Sequence, residues 1–322
     1  MKAYHIIEVN GDLIEIETLR PEEKKHFSII KIDCCALNHR DVWIQNGKYA
    51  GLKYPIIPCS DMSGTLNGKK VIVNPGLYWG IDPKVQSSEF EILGLPSPGS
   101  LAEYISVPDE HIFEYPVFLD PVHAAALPLA GLTAYRALFT KTEPIKQEKI
   151  LITGIGGGVA LMLLQFSLAS GLECYVSSSS DEKIDKALKL GAKAGFNYTT
   201  FEWEKAAQKI SGGFDIILDG AAGSHTGKLI KLCKPGARIC FYGGTDGNMM
   251  DLSPQQIFWK QLKIFGSTMG TNEEFKAMLH FVAKHKISPV VDEVYPFSKV
   301  NNAFKKMASG QQFGKLVVKV SE

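Results

Sequence analysis

The stretch Lys149-Ile150-Leu151-Ile152-Thr153-Gly154-Ile155-Gly156-Gly157-Gly158-Val159-Ala160 decides how the chain is read. A short apolar run ends in a glycine turn, and an apolar segment, 161–169, follows at once. A strand, a tight turn and a helix in that order present free backbone N–H groups to a phosphate. Glycine suits the turn because the chain bends sharply and a pyrophosphate has to approach the backbone closely. The spacing is Gly154-x-x-Gly157-x-x-Ala160 rather than the strict GxGxxG, with Ala where only helix–strand packing requires a small residue. Any buried strand–turn–helix can be rich in glycine, so the turn indicates dinucleotide binding only together with its surroundings.

Those surroundings alternate. Strand-like runs at 149–153, 173–177, 215–219, 238–242 and 263–267 are separated mostly by helical patterns, and 123–139 reads as helix apart from Pro128. Residues 183–190 are amphipathic and stop at Gly191. This alternation predicts an α/β fold with a parallel, doubly wound sheet over 123–270, its ligand at the carboxyl ends of the strands. Residues 1–122 read as mostly β and barrel-like. Strands 4–9 and 13–16 form a hairpin around Asn10-Gly11-Asp12, further strands fall at 28–32, 70–73 and 101–107, and 79–97 is a loop. Residues 271–322 add helices at 273–286 and 299–308 and a strand at 315–320, and are expected to return to the first domain.

Composition bounds the function. The chain has 322 residues, 45% hydrophobic and 21% charged, with a net charge of +1. That length allows two domains with ample core. The basic residues are dispersed, so a nucleic-acid partner is not expected. The longest apolar stretches, around 123–139 and 158–172, are interrupted and too short to span a bilayer, so no membrane association is expected. Residues 1–10 are already strand-like, so no N-terminal targeting signal is expected. None of the six cysteines (34, 35, 59, 174, 233 and 240) forms a CxxC pair, which points to a reduced, cytoplasmic protein.

A second cofactor signal lies about twenty residues beyond the glycines, where an NAD-binding fold usually carries Asp or Glu for the ribose 2′-OH. Here the strand 173–177 runs into Ser178, Ser179 and Ser180, then Asp181, Glu182 and Lys183. A carboxylate at the strand end would repel a 2′-phosphate, whereas hydroxyls and a lysine would accept one. NADP(H) is therefore expected over NAD(H). Two other readings stay open: the serines are a polar loop and helix cap, or Asp181 is the ribose acceptor.

With these signals in place the chain resembles the medium-chain dehydrogenase/reductases, in the branch similar to quinone oxidoreductases and zinc-independent enoyl reductases. The resemblance rests on Ala36-Leu37-Asn38-His39-Arg40-Asp41-Val42-Trp43 with Gly47, on Pro55-Ile56-Ile57-Pro58-Cys59-Ser60-Asp61, on 125–134, on the glycine turn and on Phe313-Gly314-Lys315. It implies a GroES-like catalytic domain plus a Rossmann domain with the active site between them, and a homodimer. Zinc-dependent members use Cys, His and Cys or an acid as ligands. By this resemblance Asn38 stands in place of the first Cys and Ser60 in place of the His. The third position falls near Pro128-Leu129, and no four-cysteine lobe follows Trp79, so no metal is expected.

The resemblance also implies roles. Asn38 would donate an N–H to a carbonyl or to the nicotinamide ribose, although it could be a strand-end turn. Asp41 would orient Asn38 or a water, or else cap a helix. Trp43 would face substrate, or else belong to the core. Tyr78 and Trp79 would line the acceptor site, and Thr133 would approach the nicotinamide. Gly157, Gly158 and Val159 would meet the pyrophosphate. Ser178, Ser179, Lys183 and Tyr198 would meet the adenosine phosphate. Gly243, Gly244 and Thr245 would run under the cofactor, with Ser267 and Thr268 near the nicotinamide. Gly314 and Lys315 would close the cleft. The expected reaction is hydride transfer to a quinone or enone small molecule, its anion held by hydrogen bonds and its proton drawn from solvent. The alternatives are an NAD-dependent alcohol dehydrogenase and a non-catalytic NADPH-binding sensor.

Overall fold

The computed structural model describes residues 1–321, in two compact units: 1–132 with 270–321, and 133–269. The dividing point falls at 132/133 rather than 122/123. The helix Pro121–Ala125 packs on the strands of the first unit, and the Leu129 N–H donates to Asp61 there.

Apolar runs buried on both faces build the centre of the second unit. Six parallel strands lie in the order Ala194–Asn197, Glu173–Ser178, Lys149–Ile152, Phe214–Asp219, Cys233–Phe241, Lys263–Gly266. The order reverses direction at Lys149–Ile152, so the crossovers cover both faces and a crevice opens at the strands' carboxyl ends. Ile150, Leu151, Ile152, Ile216, Ile217 and Leu218 have no exposed surface. The helix Gly158–Ala169 is apolar nearly all round and is buried on most of its faces. The helix Asp181–Lys189 is amphipathic instead. Ser180 caps it, acids fill its first turn and lysines its last, and Ile184 and Ala187 point inward. Ala194–Asn197 was absent from the expected strands. It is short and weakly apolar, and it exists because it pairs with Glu173–Ser178 and buries Phe196.

The first unit carries a seven-stranded sheet. Its path runs Val291–Pro296, Lys315–Lys319, Phe27–Ala36, Asp61–Leu66, Lys69–Val73, Ile112–Glu114, with Tyr104–Pro108 pairing Phe27–Ala36 off that path. Phe27–Ala36 takes Tyr104–Pro108 along its first half and Lys315–Lys319 along its second, so the chain's end completes the sheet. The N-terminal hairpin is shorter than expected. Lys2–His5 pairs with Ile14–Glu17, while Ile6 turns to exchange two backbone hydrogen bonds with Ile56 and becomes fully buried. In the expected loop 79–97, Glu91–Ile92 pairs with Gly76–Leu77. The expected helix 123–139 is broken into Pro121–Ala125, Pro128–Tyr135 and a wider π-type turn, Arg136–Lys141, with Pro128 opening the second piece.

Candidate active site

In the first unit three chain segments meet at the end of one strand. Ala36 pairs with Asp61 on one side and Val317 on the other, and the Leu37 N–H donates to the Leu316 carbonyl at 3.0 Å. Asn38, two residues past the strand end, therefore emerges between Asp61 and Lys315. The Lys315 Nζ donates to Asn38 Oδ1 at 2.6 Å and to Asp61 Oδ2 at 2.9 Å. Asn38 Nδ2 donates to the same Asp61 oxygen at 2.8 Å. Asp61 Oδ1 accepts the Leu129 N–H at 2.8 Å. The Lys315 and Asp61 side chains are 4% and 0% exposed, so the pair is shielded from water. The Lys315 ammonium is thus engaged inside this cluster. Gly314 serves the backbone: its φ is +124° and a Cβ would sit 2.5 Å from the Val290 carbonyl.

Asp41 has the contacts of a capping acid. Its Oδ2 accepts the Asn38 N–H at 2.7 Å, and its Oδ1 accepts the Cys59 N–H at 3.1 Å. It thereby fixes both the start of the helix His39–Gln45 and the left-handed turn at Cys59, where φ is 72°. Burial pushes its carboxyl up to about 6, against the opposing charge of Arg40. Trp43, on the same helix, is half-buried with its ring edge-on to exposed His39. Trp79 is buried, its Nε1 donating to the Asp82 carbonyl at 3.0 Å, so it faces its own loop, whereas Tyr78 is exposed.

Ser60, in the slot of the metal-binding His, accepts from Arg40 Nη1 at 2.7 Å and donates to the Leu93 carbonyl at 2.8 Å. Among the described residues no group of three or more His, Cys, Asp or Glu side chains is placed to hold a metal ion.

In the second unit the glycine turn lies where the strand Lys149–Ile152 ends, anchored by Thr153 N–H to Leu218 O at 3.1 Å and Ile155 N–H to Ser177 O at 2.9 Å. Gly154 and Gly156 need to be glycine because their φ values are 64° and 116°. Gly157 does not need it for the fold: its φ is −74°, and a Cβ would meet nothing closer than the Gly154 carbonyl at 3.6 Å. The open space over Gly157 is what a phosphate would fill, and Gly158 and Val159 begin the helix behind it.

The other expected contacts fall at neighbouring strand ends of the same sheet. Ser178 ends its strand, nearly buried, and its Oγ accepts the Ser180 N–H at 3.2 Å. Ser179 is exposed, and Lys183 stands in the first turn of the helix that follows. Asp181 is that helix's first residue, not the strand's last, and its carboxylate accepts from Asn197 Nδ2 at 2.9 Å. The Tyr198 ring leans on His225, with centroids 5.1 Å apart. Gly243 lies against the Gly220 carbonyl, Gly244 faces open space, and Thr245 and Thr268 are exposed. The buried Ser267 Oγ has no hydrogen-bond partner among the described residues. Buried Thr133 lies 3.9 Å from the Met269 sulfur. Sequence reasoning missed Asp219. It ends the Phe214–Asp219 strand, accepts from the Thr153 hydroxyl and from the Ala222 N–H, and its pKa is raised by burial. An acid between the apolar run 216–218 and Gly220 was the available signal.

Two family models match: the alcohol dehydrogenase GroES-like domain over 24–117 and the zinc-binding dehydrogenase over 158–284. The zinc-type alcohol dehydrogenase-like protein YogA of Leptosphaeria maculans is 36% identical, across 91% of this chain and 90% of its own length. The chain is a medium-chain dehydrogenase/reductase. Within this superfamily it is also similar to the human quinone oxidoreductase, at 28% identity across 99% of this chain and 97% of the relative. A solved NAD-dependent alcohol dehydrogenase superposes with a TM-score of 0.93 at 28% identity, each chain covered in full. The two units are therefore the GroES-like and Rossmann domains of the medium-chain dehydrogenase/reductase fold.

Proposed function

We propose that this medium-chain dehydrogenase/reductase is an NADP(H)-dependent oxidoreductase that reduces a quinone or an α,β-unsaturated carbonyl without zinc. The observation that carries the reading is the Lys315–Asn38–Asp61 cluster. It presents an amide donor where zinc-dependent relatives would present a ligand. The donor set does not suit a dication: the Asn38 oxygen and Ser60 hydroxyl are bound to Lys315 and Arg40, two cations that would repel it.

The nicotinamide cofactor fits the second unit on two independent features, the open space over Gly157 and the unpartnered Ser267 hydroxyl. When bound, it supplies the hydride. Gly157, Gly158 and Val159 hold its pyrophosphate by backbone N–H groups, while Thr133, Gly243, Gly244, Thr245, Ser267 and Thr268 border the rest. Ser178, Ser179, Lys183 and Tyr198 receive the 2′-phosphate, and the engagement of Asp181 with Asn197 supports NADP(H) over NAD(H). Asn38 carries the acceptor chemistry. One Nδ2 proton goes to Asp61, and the second has no partner among the described residues, leaving it for an oxygen on which negative charge develops. The proton of the reduced product comes from solvent.

NADPH and NADH oxidation, each followed with quinone and enone acceptors in the presence of a chelator, tests this. NADPH turnover that ignores the chelator and falls about a hundredfold in Asn38→Ala is the expected result. Chelator-sensitive alcohol oxidation with NAD would instead establish the alcohol dehydrogenase activity that the solved relative's name carries. Tight NADPH binding without turnover would establish a sensor.

The reading includes a homodimer in a reducing, cytoplasmic setting. All six cysteines are free and buried. The edge strand Lys263–Gly266 pairs on one side only, and Phe258, Trp259 and Ile264 stand 61%, 83% and 42% exposed beside it.

A further inference from the structure

Asn38 can act as a donor only if its amide is held one way round. An amide presents an oxygen on one side and NH₂ on the other, and the two are interchangeable in shape. The neighbours are not. An ammonium has only donors, so the side facing Lys315 at 2.6 Å has to be the oxygen. A carboxylate only accepts, so the side facing Asp61 at 2.8 Å has to be the nitrogen. A flipped amide would set NH₂ against NH₃⁺ and oxygen against oxygen inside a buried cluster. The neighbours are themselves immobile. Asp61 is pinned by the Leu129 N–H, and the Lys315 backbone is fixed by its own N–H to Val290 O at 2.9 Å. A cation on the amide oxygen also draws charge from the nitrogen and strengthens its N–H as a donor.

We propose that Lys315, paired with Asp61, is a positioning residue that locks and polarises the Asn38 amide as the donor to the substrate oxygen. An ammonium thereby supports from behind the role a metal would play directly. This rests on the function read above, and the two are separable by experiment. Lys315→Met alone would strand a buried carboxylate, so the variant to build is Lys315→Met/Asp61→Asn, which removes both charges.

The variant, Asn38→Ala, the triple variant and wild type are compared for thermal unfolding, NADPH affinity and quinone-reductase kcat and KM. The Asn38 side-chain amide is followed by NMR in ¹⁵N-asparagine-labelled protein and assigned by its loss in Asn38→Ala. Expected are NADPH affinity within about twofold, kcat down at least about tenfold, and a triple variant no slower than Asn38→Ala, because the charges act through the amide. The Asp61-bound amide proton, shifted downfield and slow to exchange in wild type, should lose both properties. Additive kinetic losses, or an unchanged amide signal, would overturn the proposal. If wild type reduces no quinone or enone, the functional reading falls, and the amide signal alone still decides the positioning role. Should the double variant not fold, Lys315→Gln/Asp61→Asn gives the same test, since both replacement amides can accept as well as donate and no longer dictate the orientation.

Discussion

At the scale of single residues, burial decides what each polar group does. Asp41 keeps its carboxylate on two backbone N–H groups, yet burial lifts it from 3.8 to about 6. The folded protein then binds this proton more tightly than the unfolded chain. The stabilisation from that proton is complete below about pH 4 and is lost as the pH rises through 6. A shift of this size corresponds to about 3 kcal/mol. The difference in unfolding free energy between wild type and Asp41→Ala should fall by that amount from pH 3 to pH 7, read by denaturant titration. A difference that stays flat would place the carboxyl in a polar setting. Lys183 and Ser179 make a prediction about the cofactor. Lys183→Ala with Ser179→Asp should raise KM for NADPH about tenfold or more and leave KM for NADH nearly unchanged. Equal changes for both cofactors would remove the 2′-phosphate from this site.

At the scale of elements, the glycine turn divides into residues the backbone needs and one it does not. Gly156 has a φ of 116°, so Gly156→Ala should destabilise the second unit by roughly 1–3 kcal/mol. Gly157→Ala meets no strain and no clash. It should keep the melting temperature while weakening NADP(H) binding about tenfold, measured by nucleotide fluorescence titration. Loss of stability with intact binding would mean that the turn is structural only. The same contrast explains which expected contacts survive inspection. Gly314 and Gly243 are glycine because a Cβ would strike a carbonyl, so their identity carries no information about a ligand.

At the scale of the whole molecule, the exposed apolar edge makes a prediction about assembly. Trp259→Glu with Ile264→Lys should convert a dimer into a monomer in size-exclusion chromatography with light scattering, with little effect on the Rossmann core. A wild-type monomer would leave the edge strand protected by its shortness alone.

The same scales separate what could be read in the chain from what could not. The parallel sheet was legible because its central strands are buried on both faces, which turns them into continuous apolar runs such as 150–152 and 216–218. The glycine turn was legible because a left-handed backbone and a close ligand both require the same residue. Ala194–Asn197 was not, since only pairing with a neighbour makes it a strand. The site in the first unit was half visible. Asn38 stood out by its motif, but Lys315 is 277 residues away and read as a residue at a cleft. Only the register that sets Ala36 beside both Asp61 and Val317 brings the lysine to the amide. Local pattern fixes periodicity and backbone sign. Which polar groups end as partners depends on long-range strand pairing and on the exclusion of water, and neither has a signature within a few residues of chain.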